Sequence, residues 1–110
     1  MNLLAAVVIA VVTAYAPAAG GTNCDGNCAV TASGYPPQRM IAACGYQWEL
    51  GDMLHVYGYG TVICGDRFGA DVRPNRVDVW FPDLESALEW GVVETEVTWL
   101  GNVDLKDVLN

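Results

Sequence analysis

Residues 76–81 read Arg-Val-Asp-Val-Trp-Phe. Apolar and polar side chains alternate, the pattern of a strand with one face on a core. Val77 and Val79 fall on one face, and Arg76, Asp78 and Trp80 on the other. Just beyond, Asp83 is placed to N-cap a short helix, Leu84 to Trp90, with Gly91 as its stop. Leu84, Ala87 and Leu88 form the expected apolar stripe of that helix.

Working outward, Gly65 to Asn75 is a polar loop bearing Gly and Pro. Met53 to Tyr57 and Thr61 to Cys64 read as short strands, turned by Gly58-Tyr59-Gly60. Met40 to Cys44 is a short apolar run. Pro17 to Gln38, rich in Gly, Pro, Asn, Ser and Thr, reads as a loop. On the other side, Val92 to Leu100 reads as a strand with Val93, Thr95, Val97 and Trp99 facing one way, and residues 101–110 read as a tail. Five or six short strands with one late helix favour a closed barrel, which leaves no exposed edges.

The amino terminus has two readings. Leu3 to Val12 is unbroken apolar sequence with the length of a signal-peptide core, and Ala14-Tyr15-Ala16 resembles a cleavage site. No Lys or Arg precedes the run, and it reads equally well as a buried strand. The strand is favoured for Ile9 to Tyr15. Residues 1–9 are then either an export-signal remnant or a strand extension, residues 10–100 the domain.

With 110 residues, 53% of them hydrophobic, the chain can build one core and not two. A formal charge of −8 repels a phosphate backbone and argues against a nucleic-acid partner. Only 16% of residues are charged and mean hydropathy is +0.26, the balance of a folding chain. No apolar run reaches the ~18 residues of a membrane span. Cys24, Cys28, Cys44 and Cys64 allow up to two disulfides in three pairings, with free thiols or zinc as the other readings. The single histidine, His55, does not complete a ligand pattern.

Paired carboxylates are the candidate chemistry. Asp66, Asp71 and Asp78 lie within thirteen residues. If the face of Asp78 lines a groove, desolvation raises its pKa and suits it to general acid catalysis. The competing reading is a solvated Asp78 and an Asp66 that caps a turn. Arg67, Arg73 and Arg76 would form structural salt bridges. Among the aromatics Tyr15, Trp48, Tyr57, Tyr59, Trp80 and Trp90, Tyr59 in its Gly-Tyr-Gly turn is the best candidate for exposure and for stacking on a sugar ring. One histidine supports neither a Ser-His-Asp nor a Cys-His arrangement, and no phosphate-loop motif is present.

Val12-Thr13-Ala14-Tyr15, Gly58-Tyr59-Gly60, Gly65-Asp66-Arg67-Phe68-Gly69 and Asn75 through Pro82, followed by Glu85, Ala87, Leu88, Trp90 and Gly91, together resemble the 3D domain. That family is named for its aspartates and is related to the catalytic domain of membrane-bound lytic transglycosylase A. The resemblance spans about residues 10 to 100, and its specific part runs from Asp66 to Gly91. It implies a mainly β fold, a small six-stranded double-psi β-barrel with one short helix near the C-terminus, whose groove holds a peptidoglycan glycan strand. Asp78 matches the aspartate that acts as acid and then base, and Asp66 the one preceding it. Thr13, Tyr15, Tyr59, Gly69 and Arg76 fall at substrate-binding positions. Cys44, in Ile41-Ala42-Ala43-Cys44, stands where the family has its first aspartate, and Phe68 to Pro74 replaces a lysine-bearing glycine-rich stretch.

The resemblance thus implies a lytic transglycosylase or glycoside hydrolase, secreted or in the cell envelope, needing no cofactor and no metal. The missing first aspartate motivates an alternative from another class, a non-catalytic glycan-binding barrel. A phage-encoded structural or lytic component is a third.

Overall fold

The computed structural model describes residues 7–16, 32–68 and 73–109. Six strands close into a barrel: β1 (Val7–Tyr15), β2 (Ile41–Cys44), β3 (Asp52–Val56), β4 (Gly60–Asp66), β5 (Arg76–Trp80) and β6 (Val93–Asn102). Around the barrel the order is β1-β5-β2-β4-β3-β6. Two parallel pairs, β1–β5 and β2–β4, lie side by side through the antiparallel β2–β5 contact. The mainly β, closed six-stranded architecture expected above is therefore the one observed.

Alternation decides which side chains enter the barrel. On β5, Val77 and Val79 are fully buried while Arg76, Asp78 and Trp80 are partly exposed, as their spacing requires. Ala10 and Val12 on β1, Leu54 and Val56 on β3, and Val97 on β6 complete much of the interior. On β6 the register sets Val93, Thr95 and Val97 opposite Val12, Ala10 and Val8, and Trp99 opposite Leu54, so these four share one face as expected, with Val97 buried and Trp99 exposed at the end of the row. Trp48 is also buried in the core.

Cys44 and Cys64 point into the same interior and form a disulfide with their Cα atoms 5.5 Å apart. It ties β2 to β4 across a sequence separation of 20 residues. Closing a loop of that length stabilises a fold by about 3 kcal/mol in the chain-entropy picture. Cys24 and Cys28 lie outside the described residues.

The helix α1 (Leu84–Trp90) follows β5 as expected. Asp83 caps it, its side chain accepting from the Ser86 N–H at 2.7 Å, and Gly91 ends it at φ 69°. Its anticipated stripe is different from the one seen. Only Ala87 is buried, while Leu84 and Leu88 are 63% and 71% exposed. Trp90 anchors the helix instead, its indole N–H donating to the Val12 carbonyl at 3.1 Å. A seven-residue helix needs few anchors, and one large side chain with a hydrogen bond displaces the leucines from that task.

The terminal elements run beyond the favoured strand limits, at the amino end in the way a strand extension would. β1 begins at Val7, two residues before Ile9, because Val7 and Val8 pair with Thr98 and Val97. β6 runs on to Asn102, which faces Asp52, and a second short helix, α2 (Leu105–Leu109), occupies the expected tail. Asn102 draws the chain in by donating to the buried Asp52 carboxylate at 2.9 Å. No helix among the described residues is long and apolar enough to cross a membrane.

Candidate active site

The outer faces of the two parallel pairs carry a single lateral row of residues. Thr13 on β1 faces Asp78 on β5, Asp78 faces Ala43 on β2, and Ala43 faces Asp66 on β4. With neighbouring strands about 4.8 Å apart, the two aspartates sit two strand-widths, roughly 10 Å, from each other along the sheet. Ala43, the smallest side chain that keeps a Cβ, lies between them. The row depends on a bulge in β4: Ala42 pairs with Cys64 and Ala43 with Asp66, so Gly65 is skipped in the register.

Asp78 is largely desolvated and accepts a hydrogen bond at Oδ1 from the Thr13 hydroxyl at 2.8 Å. Desolvation pushes its pKa above the ordinary 3.8, the nearby Asp66 charge adds to the rise, and the Thr13 hydrogen bond and the Arg76 charge oppose it. Asp66 has other attachments. Its Oδ1 accepts from the backbone N–H of Ala32 and of Arg67, both at 2.9 Å. A third link, from the Ser33 N–H to the Gly65 carbonyl at 2.9 Å, lays the incoming segment along β4. Gly65 leaves room there, since a Cβ would come within 3.2 Å of Ser33 Oγ and 2.8 Å of Ile41 Cγ2.

Tyr15 stands one step along β1 from Thr13, opposite Trp80. Its hydroxyl donates to the Ile41 carbonyl at 3.1 Å, bridging to β2. Burial, with the charges of Asp78 and Asp66, holds the phenol well above its usual range, so Tyr15 stays neutral. Arg76 reaches Thr13 Oγ1 with Nε at 3.4 Å and a terminal nitrogen at 3.2 Å, and its guanidinium lies over the Phe68 ring at 4.4 Å.

Of the residues singled out in the sequence, Thr13, Tyr15, Asp66, Arg76 and Asp78 converge here. Gly69 and Asp71 lie outside the described residues. Tyr59 does not present an exposed face. Its ring packs edge-on against Phe81 and Trp90, Arg39 covers it at 3.8 Å, and its hydroxyl donates to the Trp80 carbonyl. Its flanking glycines leave the ring free to fold back onto α1, whereas Tyr57 is 67% exposed. Cys44, which the resemblance to the 3D domain set against that family's first aspartate, faces the interior; the side chain between the two carboxylates is that of Ala43.

Two contributors were not legible beforehand. Arg67 donates to the carbonyls of Cys44 and Gly45, at 3.1 and 2.8 Å, clamping the end of β4 to the end of β2 in place of the expected salt bridge. Trp80, on the outer face of β5, keeps a buried Nε1 with no hydrogen-bond partner among the described residues. Alternation gave the outer face for Trp80, but neither its unpartnered nitrogen nor the acceptors of Arg67 has a local signal, since both depend on which strands become neighbours.

No family model matches the chain. Two proteins of Bacillus subtilis (strain 168) are similar to it. A putative cell wall shaping protein, YabE, is 37% identical over 81 residues, covering 72% of this chain and 19% of that protein. A cell wall-binding protein, YocH, is 33% identical over 90 residues, covering 77% of this chain and 29% of that protein. The chain thus spans less than a third of the length of either.

Proposed function

We propose that this chain is a 3D-type barrel that cleaves the glycan strands of peptidoglycan, with Asp78 as acid and then base. The observation that carries the reading is the environment of Asp78: a desolvated carboxyl of raised pKa, hydrogen-bonded to Thr13, sharing an outer face with a second aspartate two strands away. The names of YabE and YocH, which speak of cell wall shaping and cell wall binding, support a cell-wall role. The Cys44–Cys64 disulfide suits the oxidising side of the membrane, and hence a secreted or envelope location.

In this reading protonated Asp78 donates to the glycosidic oxygen as the C1–O bond after N-acetylmuramic acid breaks. The resulting carboxylate takes the proton of the same sugar's 6-hydroxyl as that oxygen bonds to C1, closing a 1,6-anhydro ring. One carboxyl serves both steps and no water is consumed. Asp66 keeps the adjoining segment in place and, by its charge, disfavours a second anion at Asp78. Tyr15 and Arg76 border the path of the sugar.

Purified peptidoglycan incubated with the protein should yield anhydro-muropeptides by mass spectrometry. Reducing-end products instead would indicate hydrolysis, and the lack of both overturns the enzymatic reading. A second reading, a glycan-binding barrel without catalysis, is favoured by Cys44 in place of a carboxylate and by the name of YocH. Its mark is co-sedimentation with cell walls that remain intact.

A further inference from the structure

The three side chains nearest the proposed proton form a directional chain. Arginine carries only donors and stays charged, so Thr13 Oγ1 must act as acceptor towards Arg76. Thr13 has one proton to give, and Asp78 Oδ1 at 2.8 Å is the acceptor for it. If Asp78 Oδ1 carried the acid proton, Thr13 would have to accept from both neighbours. Its own proton would then find no acceptor among the described residues. Asp78 Oδ2 accepts no hydrogen bond from the described residues and is the oxygen left open.

The geometry points to Arg76 and Thr13 as positioning residues that turn Asp78 so that Oδ1 is held by the protein and Oδ2 carries the exchangeable proton. This rests on the reading of Asp78 as acid and base, and goes beyond it by naming the reacting oxygen and what holds it. Thr13 and Arg76, matched above to substrate-binding positions, act through Asp78. Both proton transfers then use Oδ2, and the carboxyl need not rotate between donating and accepting. Among the described residues, the other charged or titratable groups facing Asp78 are Tyr15 on β1 and Asp66 on β4, while β2 presents only Ala43. Neither group lies on the Arg76–Thr13 path.

The test compares the parent with Thr13→Val, which keeps the shape and loses the hydroxyl, and Thr13→Ser, which restores it. Carbon-13 NMR of the aspartate carboxyls follows Asp78 without turnover. Losing the Thr13 hydrogen bond removes support for the carboxylate, so the Asp78 midpoint in Thr13→Val should rise by roughly one pH unit and return in Thr13→Ser. On peptidoglycan, kcat should fall about tenfold with KM unchanged, and the basic limb of the pH profile should move to higher pH. An unmoved midpoint in a folded Thr13→Val overturns the inference. So does a loss confined to KM, or a Thr13→Ser variant as impaired as Thr13→Val. A parent that leaves peptidoglycan intact while the midpoint still moves overturns the cleavage reading alone.

Discussion

The end of β4 and the middle of β5 each present an aspartate to the same outer face, yet the two are held in opposite ways. Asp66 is bound by backbone: one oxygen takes the N–H groups of Ala32 and Arg67, beside the Arg67 clamp and the disulfide between β2 and β4. Asp78 is bound by side chains alone, with one oxygen on Thr13 and the other unoccupied by any described residue. Carboxylates of one type, two strands apart, therefore divide their tasks. The β4 end is tied in place by backbone, and the middle of β5 carries the carboxyl that the proposed function uses for proton exchange.

The largest effect expected from that contrast is catalytic. Asp78→Asn should lower release of anhydro-muropeptides by about 10²–10⁴-fold while the barrel stays folded. A variant as active as the parent would move the acid elsewhere. Next, replacing both Cys44 and Cys64 by Ala should cost about 3 kcal/mol in denaturant unfolding, because the β4 end loses its covalent tie. Asp66→Ala comes third, at about 1–3 kcal/mol, since two backbone N–H groups lose their acceptor. An Asp66→Ala barrel of parental stability would erase the distinction between the two aspartates.

The smallest effect is in the pH dependence of stability, and its sign is opposite to the usual aspartate case. The folded pKa of Asp78 is raised, so its contribution to stability is complete below the ordinary value of 3.8 and is lost as pH climbs through the folded value. Asp78→Asn, which cannot ionise, should therefore melt above the parent at neutral pH, with the gap closing as pH falls from the raised folded value and gone below about 3.8. A gap that widens in acid would show that Asp78 is held as a favourable carboxylate, like a structural ion pair.

Much of the β5 region was legible because its signals are local. The period-two pattern of residues 76–80 assigns Asp78 to the outer face, and Asp83 and Gly91 mark the limits of α1. The same local logic misled at Leu84 and Leu88, where helical spacing implied burial but Trp90 took the anchoring role. It misled at Tyr59 too, because a Gly-Tyr-Gly turn says where the backbone bends and not where the ring goes. In the β4 region the strand itself was legible, but the ties at its end were not. Arg67 looked like an ion-pair partner, and its carbonyl acceptors belong to a strand more than twenty residues earlier.

What the amino-acid order determined alone is the face each side chain takes within its strand, the cap and stop of α1, and an acidic single-core chain. These follow from backbone geometry and composition, which act over a few residues. The tertiary structure alone decided that Thr13, Asp78, Ala43 and Asp66 form one row, and that Cys44 bonds Cys64 in the interior. Those outcomes are set by register between strands up to 65 residues apart. Register there is chosen by closure of the whole barrel around its core, a constraint no single stretch of sequence carries.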